Sequence, residues 1–240
     1  MIMNSTKENY TEQENAIWTV LNTRLLQFLP ETADKVVFEG IQKLGYPSDH
    51  VPDLEEINSK LTVLTNWTVV PLEDMVEDNE FIAMLAQKKY PCRTWLRTKE
   101  QLDNDIDEYD MFHDIIGHTP LLTIPAYSNY LTGLGQIALE NLKNKEAIAL
   151  LKRVYWHSIQ FGLIASENML KIYGAHLISS RGETIYSISA GVPKYNLDVA
   201  IMMNTPYKKG SYQEKYFVIN SYDDLYNSLD NIKSELAKRV

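Results

Sequence analysis

The chain has 240 residues, of which 45% are hydrophobic and 23% are charged, and its formal net charge is −9. This composition is typical of a globular protein with one well-buried core, and an acidic chain without a concentrated basic face is not a dedicated nucleic-acid binder. No run approaches the roughly 20 apolar residues that cross a bilayer, and one cysteine excludes an internal disulfide. We therefore expect a single cytoplasmic domain over residues 1–240, with residues 1–10 as a flexible tail.

Helices are predicted throughout the first third of the chain. Thr11 and Glu14 have the spacing of a capping box. Apolar residues then recur at helical spacing as far as Pro30, where we expect the helix to end. Further helices are predicted near residues 32–44, 53–64 and 78–88.

The middle of the chain combines irregular and helical patterns. Trp95–Arg97 is expected to be extended or irregular, and the acidic stretch 100–110 is expected to be a surface loop. Residues 124–172 are predicted to form long helices. The longest of these begins near Glu146 and carries apolar residues as far as Leu163.

Short strands are predicted in the last third, at Thr184–Ser189 and Tyr216–Ile219. Ser221 precedes a final amphipathic helix. The predicted fold class is therefore mainly α with a small β-sheet.

The segment Phe112–Leu122 carries two histidines, His113 and His118, five residues apart. Each residue of an α-helix turns by about 100°, so on a regular helix these side chains would point about 140° apart. They converge on one ion only if His113 lies at a helix entry or in an irregular turn. Two histidines and one carboxylate form the open metal site of non-haem iron oxygenases. Spacing alone leaves such a site and a pair of unrelated histidines as alternatives.

The wider sequence resembles the aromatic amino acid hydroxylases. His-Asp-Ile-Ile-Gly-His-Thr-Pro-Leu-Leu, residues 113–122, is similar to their iron-binding signature in its bacterial form. The likeness runs from about residue 10 to 235. Further segments with the family's order and approximate spacing are Val51–Asp53, Asn66–Trp67, Trp95–Arg97, Val154–Trp156, Phe161–Ile164, Tyr173–Ala175, Ser179–Ser180, Glu183–Tyr186, Met203–Thr205 and Lys215–Asn220.

This resemblance implies the catalytic-domain fold of that family and a tetrahydropterin-dependent monooxygenase, with the bacterial phenylalanine 4-hydroxylases as the most similar type. His113 and His118 are implied as ligands of Fe(II). Asp114, Tyr155 and Glu183 are implied as catalytic positions around the metal.

The resemblance also implies how the small molecules bind. Arg97 would hold the carboxylate of an aromatic amino acid through a bidentate ion pair. Ser179 would assist Arg97 and support His113. Trp156 and Pro120 would wall the substrate ring. The tetrahydropterin would stack on Phe81, and the other residues implied to border it are Met75, Val76 and Tyr155.

The sequence departs from the family pattern at the third metal ligand. The family has Glu in Tyr-Trp-x-x-x-Glu-Phe-Gly-Leu, and this chain has Gln160 there, which is a neutral and poorer ligand. His176 stands at the substrate pocket where glycine is usual, and His157 lies one helical turn before Gln160. Three hypotheses follow. Gln160 completes a weaker site, His176 or His157 replaces the carboxylate, or the iron site is lost.

Another departure lies in the pterin loop, where Asp74 stands near an expected glycine. Our leading hypothesis is an Fe(II) monooxygenase that uses O2 and a tetrahydropterin to hydroxylate an aromatic amino acid, by default phenylalanine to tyrosine. The alternatives are a metalloenzyme of the same fold with an altered metal site and a non-standard substrate, and an inactive homologue that binds an amino acid. We expect a monomer without nucleic-acid or membrane partners.

Overall fold

The computed structural model describes residues 10–74, 76–102, 109–167 and 169–240. Within these ranges the predicted class, mainly α with a small β-sheet, is confirmed. The helices are α1 (Glu12–Thr32), α2 (Lys35–Leu44), α3 (Leu54–Thr65), α4 (Asp78–Ala86), α5 (Thr119–Leu122), α6 (Pro125–Glu140), α7 (Lys145–Tyr155), α8 (Ala175–Ser179), α9 (Arg181–Ile188), α10 (Val199–Asn204), α11 (Tyr222–Asn227) and α12 (Leu229–Ala237).

The described strands form two small sheets. A two-stranded parallel sheet pairs β1 (Thr68–Leu72) with β2 (Lys89–Arg93). A four-stranded sheet has the order β4-β3-β6-β5, in which only the β3–β4 pair is antiparallel. Its strands are β3 (Leu163–Ser166), β4 (Met169–Ile172), β5 (Lys194–Asn196) and β6 (Tyr216–Ile219).

The predicted helices of the first third are present, and the capping box of Thr11 and Glu14 is formed at the start of α1. The prediction that Pro30 ends this helix is wrong, because α1 continues to Thr32. Proline removes one backbone donor, and this loss is small within the last turn. The N–H of Ala33 still reaches the carbonyl oxygen of Leu29 at 2.8 Å and closes the helix.

The prediction of helices throughout residues 124–172 is correct only as far as α7. The helix predicted to run to Leu163 ends at Tyr155, and Trp156–Gln160 forms a π-helical turn before β3. A fully buried apolar run has no periodicity that separates a helix from a strand. Gly162 marks the change, since a Cβ there would lie 2.1 Å from the ring of Tyr173.

The predicted strand Thr184–Ser189 is also wrong, because these residues belong to α9 and its C-cap. β-Branched residues favoured the strand prediction. However, the buried residues Glu183, Thr184 and Ser187 are spaced as one helical face. Tyr216–Ile219 is a strand as predicted, and Ser221 caps α11.

The hydrophobic core supports the segments that carry the predicted site residues. Trp18, Trp67, Tyr127 and Tyr130 are completely buried within it. Helix α6 packs against α4 and α11, and α8 packs against the segment 113–118. Trp95–Arg97 has no regular structure, as predicted, and residues 103–108 of the predicted acidic loop lie outside the described residues. Within the described ranges, no helix is long and apolar enough to cross a membrane.

Candidate functional site

The two motif histidines converge because the segment between them is not an α-helix. His113–His118 forms a π-helical turn, in which hydrogen bonds join residues five apart. His113 and His118 therefore lie on the same side of the backbone, and their Nε2 atoms are 3.3 Å apart. The irregular turn that the sequence analysis required is present.

Both imidazoles are held in the neutral form. Burial lowers the pKa of His113 far below its usual value, and it lowers the pKa of His118 to about 3. Nδ1 of His113 lies 2.8 Å from Oγ of Ser179, so a proton on Nδ1 leaves the Nε2 lone pair for a ligand. A metal ion requires this neutral form of histidine.

The second π-helical turn brings Gln160 to the same place. Its Nε2 lies 3.2 Å from Nε2 of His118, and its buried Oε1 has no hydrogen-bond partner among the described residues. Amide nitrogen and oxygen are exchanged by a flip of the side chain, which would bring the orphaned oxygen toward His118. The structure thus brings together all three residues that were predicted to bind the metal.

The spacing of the two imidazole Nε2 atoms, 3.3 Å, fits two ligands of one divalent ion. Two nitrogen ligands about 2.1 Å from one ion and at right angles to each other lie about 3 Å apart. The charge of the set is less favourable than in a two-histidine, one-carboxylate site, because all three donors are neutral. Among the described residues, no group of three His, Cys, Asp or Glu side chains offers a metal site.

Neither additional histidine is placed as a third ligand. Nε2 of His157 lies 3.1 Å from the carbonyl oxygen of Thr205, and its ring packs on Phe217. The ring centre of His176 lies 6.4 Å from that of His113, and its Nε2 is 3.1 Å from Oε2 of Glu183. The hypothesis that either histidine replaces the carboxylate is not supported by these positions.

Asp114 and Glu183 are the two carboxylates at the cavity that were predicted as catalytic residues, and each is engaged by a cation or by several donors. Nη1 of Arg93 lies 2.8 Å from both oxygens of Asp114. Burial raises the pKa of Asp114 to about 6, although Arg93 opposes this shift. Glu183 accepts hydrogen bonds from the N–H of Gln213 and the hydroxyl of Tyr216, besides its contact with His176. Neither carboxylate is directed to the metal donors.

Arg97 is paired with a carboxylate of the chain itself. Its Nε and Nη2 donate to the two oxygens of Asp110 at 2.8 and 3.0 Å, and Asp110 is completely buried. Asp110 also accepts from the backbone N–H of His113 at 3.1 Å, which fixes Arg97 beside the first π-helical turn. The Arg97 side chain is itself buried, with 8% of its surface exposed.

One cavity of about 560 Å³ adjoins the metal donors, within the size range of small-molecule sites. Phe81 and Tyr155 meet edge to face in its wall, with ring centres 5.7 Å apart. Trp156 stacks on Tyr207 at 4.5 Å. Other predicted site residues that line the cavity are Val76, Asp114, Gln160, His176 and Glu183.

Five predicted site residues do not line this cavity, and one cannot be placed. The lining residues do not include Arg97, His113, His118 and Ser179. Pro120 does not line the cavity either, and its carbonyl oxygen lies over Gly40 of α2, where a Cβ would approach it to 2.3 Å. Its contact with the substrate ring stays a prediction. Met75 lies outside the described residues.

Two residues at the cavity were missed by the sequence analysis. Tyr109 stacks on His113 with ring centres 3.7 Å apart and planes 8° apart. Arg93 forms the ion pair with Asp114 and also lies 6.0 Å from the ring of Tyr109. Arg93 sits four residues before Arg97, and this second arginine was the available signal. Tyr109 lies outside every motif, so the sequence offered no signal for it.

Comparison with known proteins connects this geometry with one family. The family model of the biopterin-dependent aromatic amino acid hydroxylases matches residues 4–240 of this chain. Phenylalanine-4-hydroxylase of Chromobacterium violaceum is 35% identical over 222 residues, which are 92% of this chain and 74% of that protein. The Pseudomonas aeruginosa phenylalanine-4-hydroxylase is 35% identical over 218 residues, 91% of this chain and 82% of that protein. Rat tyrosine 3-monooxygenase is 30% identical over 235 residues, 95% of this chain and 46% of that protein.

Solved structures show the same fold. The C. violaceum phenylalanine hydroxylase bound to cobalt superimposes with a TM-score of 0.92 and 33% identity, covering 99% of this chain and 87% of that one. A structure of the same enzyme with bound Fe(III) gives a TM-score of 0.91 with the same coverage. In that bacterial hydroxylase, therefore, the similar fold holds a metal ion.

Proposed function

Because the chain belongs to the biopterin-dependent aromatic amino acid hydroxylases, we propose that it is a monooxygenase that hydroxylates an aromatic amino acid with O2, Fe(II) and a tetrahydropterin. Phenylalanine, converted to tyrosine, is the first substrate to test, since the bacterial relatives are named for that reaction. The observation that carries the proposal is the convergence of His113, His118 and Gln160 at the two π-helical turns.

The proposed metal ligands are Nε2 of His113, Nε2 of His118 and the amide oxygen of Gln160. When bound, the ion and the tetrahydropterin together activate O2. The chain keeps both imidazoles neutral, and Ser179 orients His113 through Nδ1. An amide adds no charge to offset the divalent ion, so we propose a site of lower affinity than one with a carboxylate.

The proposed pterin site lies between Phe81, Tyr155 and Val76, which all line the cavity. A planar pterin ring suits the edge-to-face pair of Phe81 and Tyr155, because each ring offers an aromatic face or edge. We also retain the proposed role of Met75 beside this site. Asp114, held by Arg93, would border the pterin and the metal.

The proposed substrate site combines Arg97 with Trp156 and His176 of the cavity lining. Nη1 of Arg97 would bind the amino acid carboxylate, while Asp110 fixes the guanidinium plane. Trp156 would wall the ring and His176 would border it. In this arrangement the chain orients the substrate and excludes water, and Glu183 holds His176 in place.

The direct test is product formation by the full chain reconstituted anaerobically with Fe(II). Phenylalanine, a tetrahydropterin and O2 should give tyrosine, detected by chromatography and dependent on both iron and pterin. Metal content measured by mass spectrometry should rise to one iron per chain. The absence of a hydroxylated product from phenylalanine, tyrosine and tryptophan would contradict the proposal.

A second candidate function is favoured by Gln160, whose neutral amide weakens the metal site. We propose it as an alternative in which the chain binds an aromatic amino acid at Arg97 without turnover, or uses a different metal with a non-standard substrate. Binding of phenylalanine by protein that retains no metal after reconstitution would favour it. In either case we propose a single-domain cytoplasmic monomer without a nucleic-acid partner, which sedimentation of the purified chain would test.

A further inference from the structure

One face of the His113 imidazole is already covered by the ring of Tyr109, which lines the cavity. Tyr109 lies almost parallel to the imidazole, with ring centres 3.7 Å apart and planes 8° apart. Parallel rings at this distance are in full van der Waals contact. No other ring can stack on this face of His113 while Tyr109 stays there.

The ring of His176 narrows the space next to Tyr109. His176 packs on Phe161 with ring centres 4.7 Å apart and lies 5.7 Å from Tyr109. Its Nε2 is 3.1 Å from the buried carboxylate of Glu183, which also accepts from Gln213 and Tyr216. His176 is therefore held in position by a carboxylate that is itself fixed.

The attachment of Tyr109 relates it to the proposed substrate site. The next residue, Asp110, is the one that pairs with Arg97 and with the backbone of His113. Tyr109 therefore directly precedes the residue that fixes the proposed carboxylate-binding arginine, and its ring lines the cavity. The backbone is fixed at Asp110, so the side chain of Tyr109 is the part that must move.

We propose that the ring of Tyr109 fills the space against the face of the His113 imidazole, which we call the aromatic slot. Together with His176, Tyr109 determines which amino acids this site accepts. This inference rests on the proposed function, because it assigns the slot to the substrate ring. A free aromatic amino acid binds only when the Tyr109 ring leaves the imidazole. Amino acids with large aromatic side chains are therefore bound less tightly than the open slot would allow.

The test is the affinity of the full chain for L-phenylalanine, measured by calorimetry without added metal. An aromatic stacking contact is worth about a factor of two to ten in binding. Tyr109→Ala should therefore bind phenylalanine about two- to tenfold more tightly than the wild type. Tyr212→Ala is the matched control, because Tyr212 lines the same cavity but contacts Tyr186 rather than His113. Its affinity should equal that of the wild type.

A second measurement uses the wild-type chain and does not depend on the folding of a variant. Nitration of Tyr109, followed by peptide mass spectrometry, should increase when phenylalanine is added, because the displaced ring becomes accessible. Nitration of Tyr212 reports any general effect of the ligand.

Unchanged or weaker phenylalanine binding by folded Tyr109→Ala, including no binding by either protein, would overturn the proposal. Protection of Tyr109 by phenylalanine would overturn it as well. Both readouts are independent of turnover. Tighter binding by Tyr109→Ala without any tyrosine formation would leave this inference intact and reject the hydroxylase function.

Discussion

At position 160 this chain has the amide of Gln160 where the family has a carboxylate as metal ligand. Gln160→Glu should increase the affinity for Fe(II) at least tenfold, because it adds a negative charge beside two neutral imidazoles. Anaerobic titration with Fe(II), followed by metal analysis after desalting, measures the change. Gln213→Glu is the matched control, since Gln213 is equally buried but bonds to Trp156 rather than to the histidines. Equal iron affinity of Gln160→Glu and wild type would show that position 160 does not contribute a ligand.

His157 is a buried histidine outside the metal donors, and it makes the fold sensitive to acid. Burial lowers its pKa from 6.5 to about 4 in the folded state. Between these values the unfolded chain binds a proton that the folded chain does not, so this group lowers stability as the pH falls from 6.5 to 4. The free energy of unfolding should decrease by about 1.4 kcal/mol per pH unit because of this group.

Replacement of His157 isolates its share of this acid sensitivity. His157→Gln keeps a donor for the carbonyl oxygen of Thr205 but does not titrate. Urea unfolding at several pH values should give a slope that is smaller by about 1.4 kcal/mol per pH unit than in the wild type. Identical slopes in the two proteins would mean that other groups, such as His118, account for the whole effect.

The sequence could predict the metal donors only through their motif. Spacing left His113 and His118 open to two interpretations, because α-helical geometry separates residues five apart. Gln160 was identified from the family segment that surrounds it. Tyr109 could not be predicted, since its role depends on a ring contact that no local pattern encodes.

At the scale of elements, the two π-helical turns bring the donors together, and Gly117 allows the first one to pack. A Cβ at Gly117 would lie 2.7 Å from the carbonyl oxygen of Ala175 in α8. Gly117→Ala should therefore lower the free energy of unfolding by about 1–3 kcal/mol, as expected for overpacking. It should also weaken iron binding, because α8 carries the Ser179 that orients His113.

Urea unfolding and Fe(II) titration of the same variant check both effects. Gly191→Ala serves as the control, because nothing lies within 4 Å of a Cβ at that position. It should change stability by less than about 0.5 kcal/mol. A Gly117→Ala protein as stable as Gly191→Ala would show that α8 moves aside without cost.

Element prediction succeeded where periodicity or a cap was visible and failed where the chain is buried on all sides. The first four helices have apolar faces or caps that the sequence displays, such as the box of Thr11 and Glu14. The apolar run Phe161–Ile164 has neither, so the turn and strand there were not predictable. A π-helical turn leaves no periodic signal, because it is too short to repeat.

At the scale of the whole molecule, the candidate site joins segments that are distant in sequence. Arg93 ends β2, His113 and His118 bound one π-helical turn, Gln160 ends the other, and Ser179 ends α8. Only the folded chain brings these groups together. Ligand binding at the site should therefore be coupled to global stability.

Addition of Fe(II) should stabilise the folded chain by this coupling. A ligand that binds only the folded state at about 100 times its dissociation constant adds about 2.7 kcal/mol to the free energy of unfolding. Anaerobic urea unfolding at increasing Fe(II) should show this rise, and chelation should reverse it. His118→Ala should lose the effect, since one of the two facing Nε2 atoms is removed. Equal stabilisation of His118→Ala and wild type would place the iron elsewhere and contradict the proposed ligands.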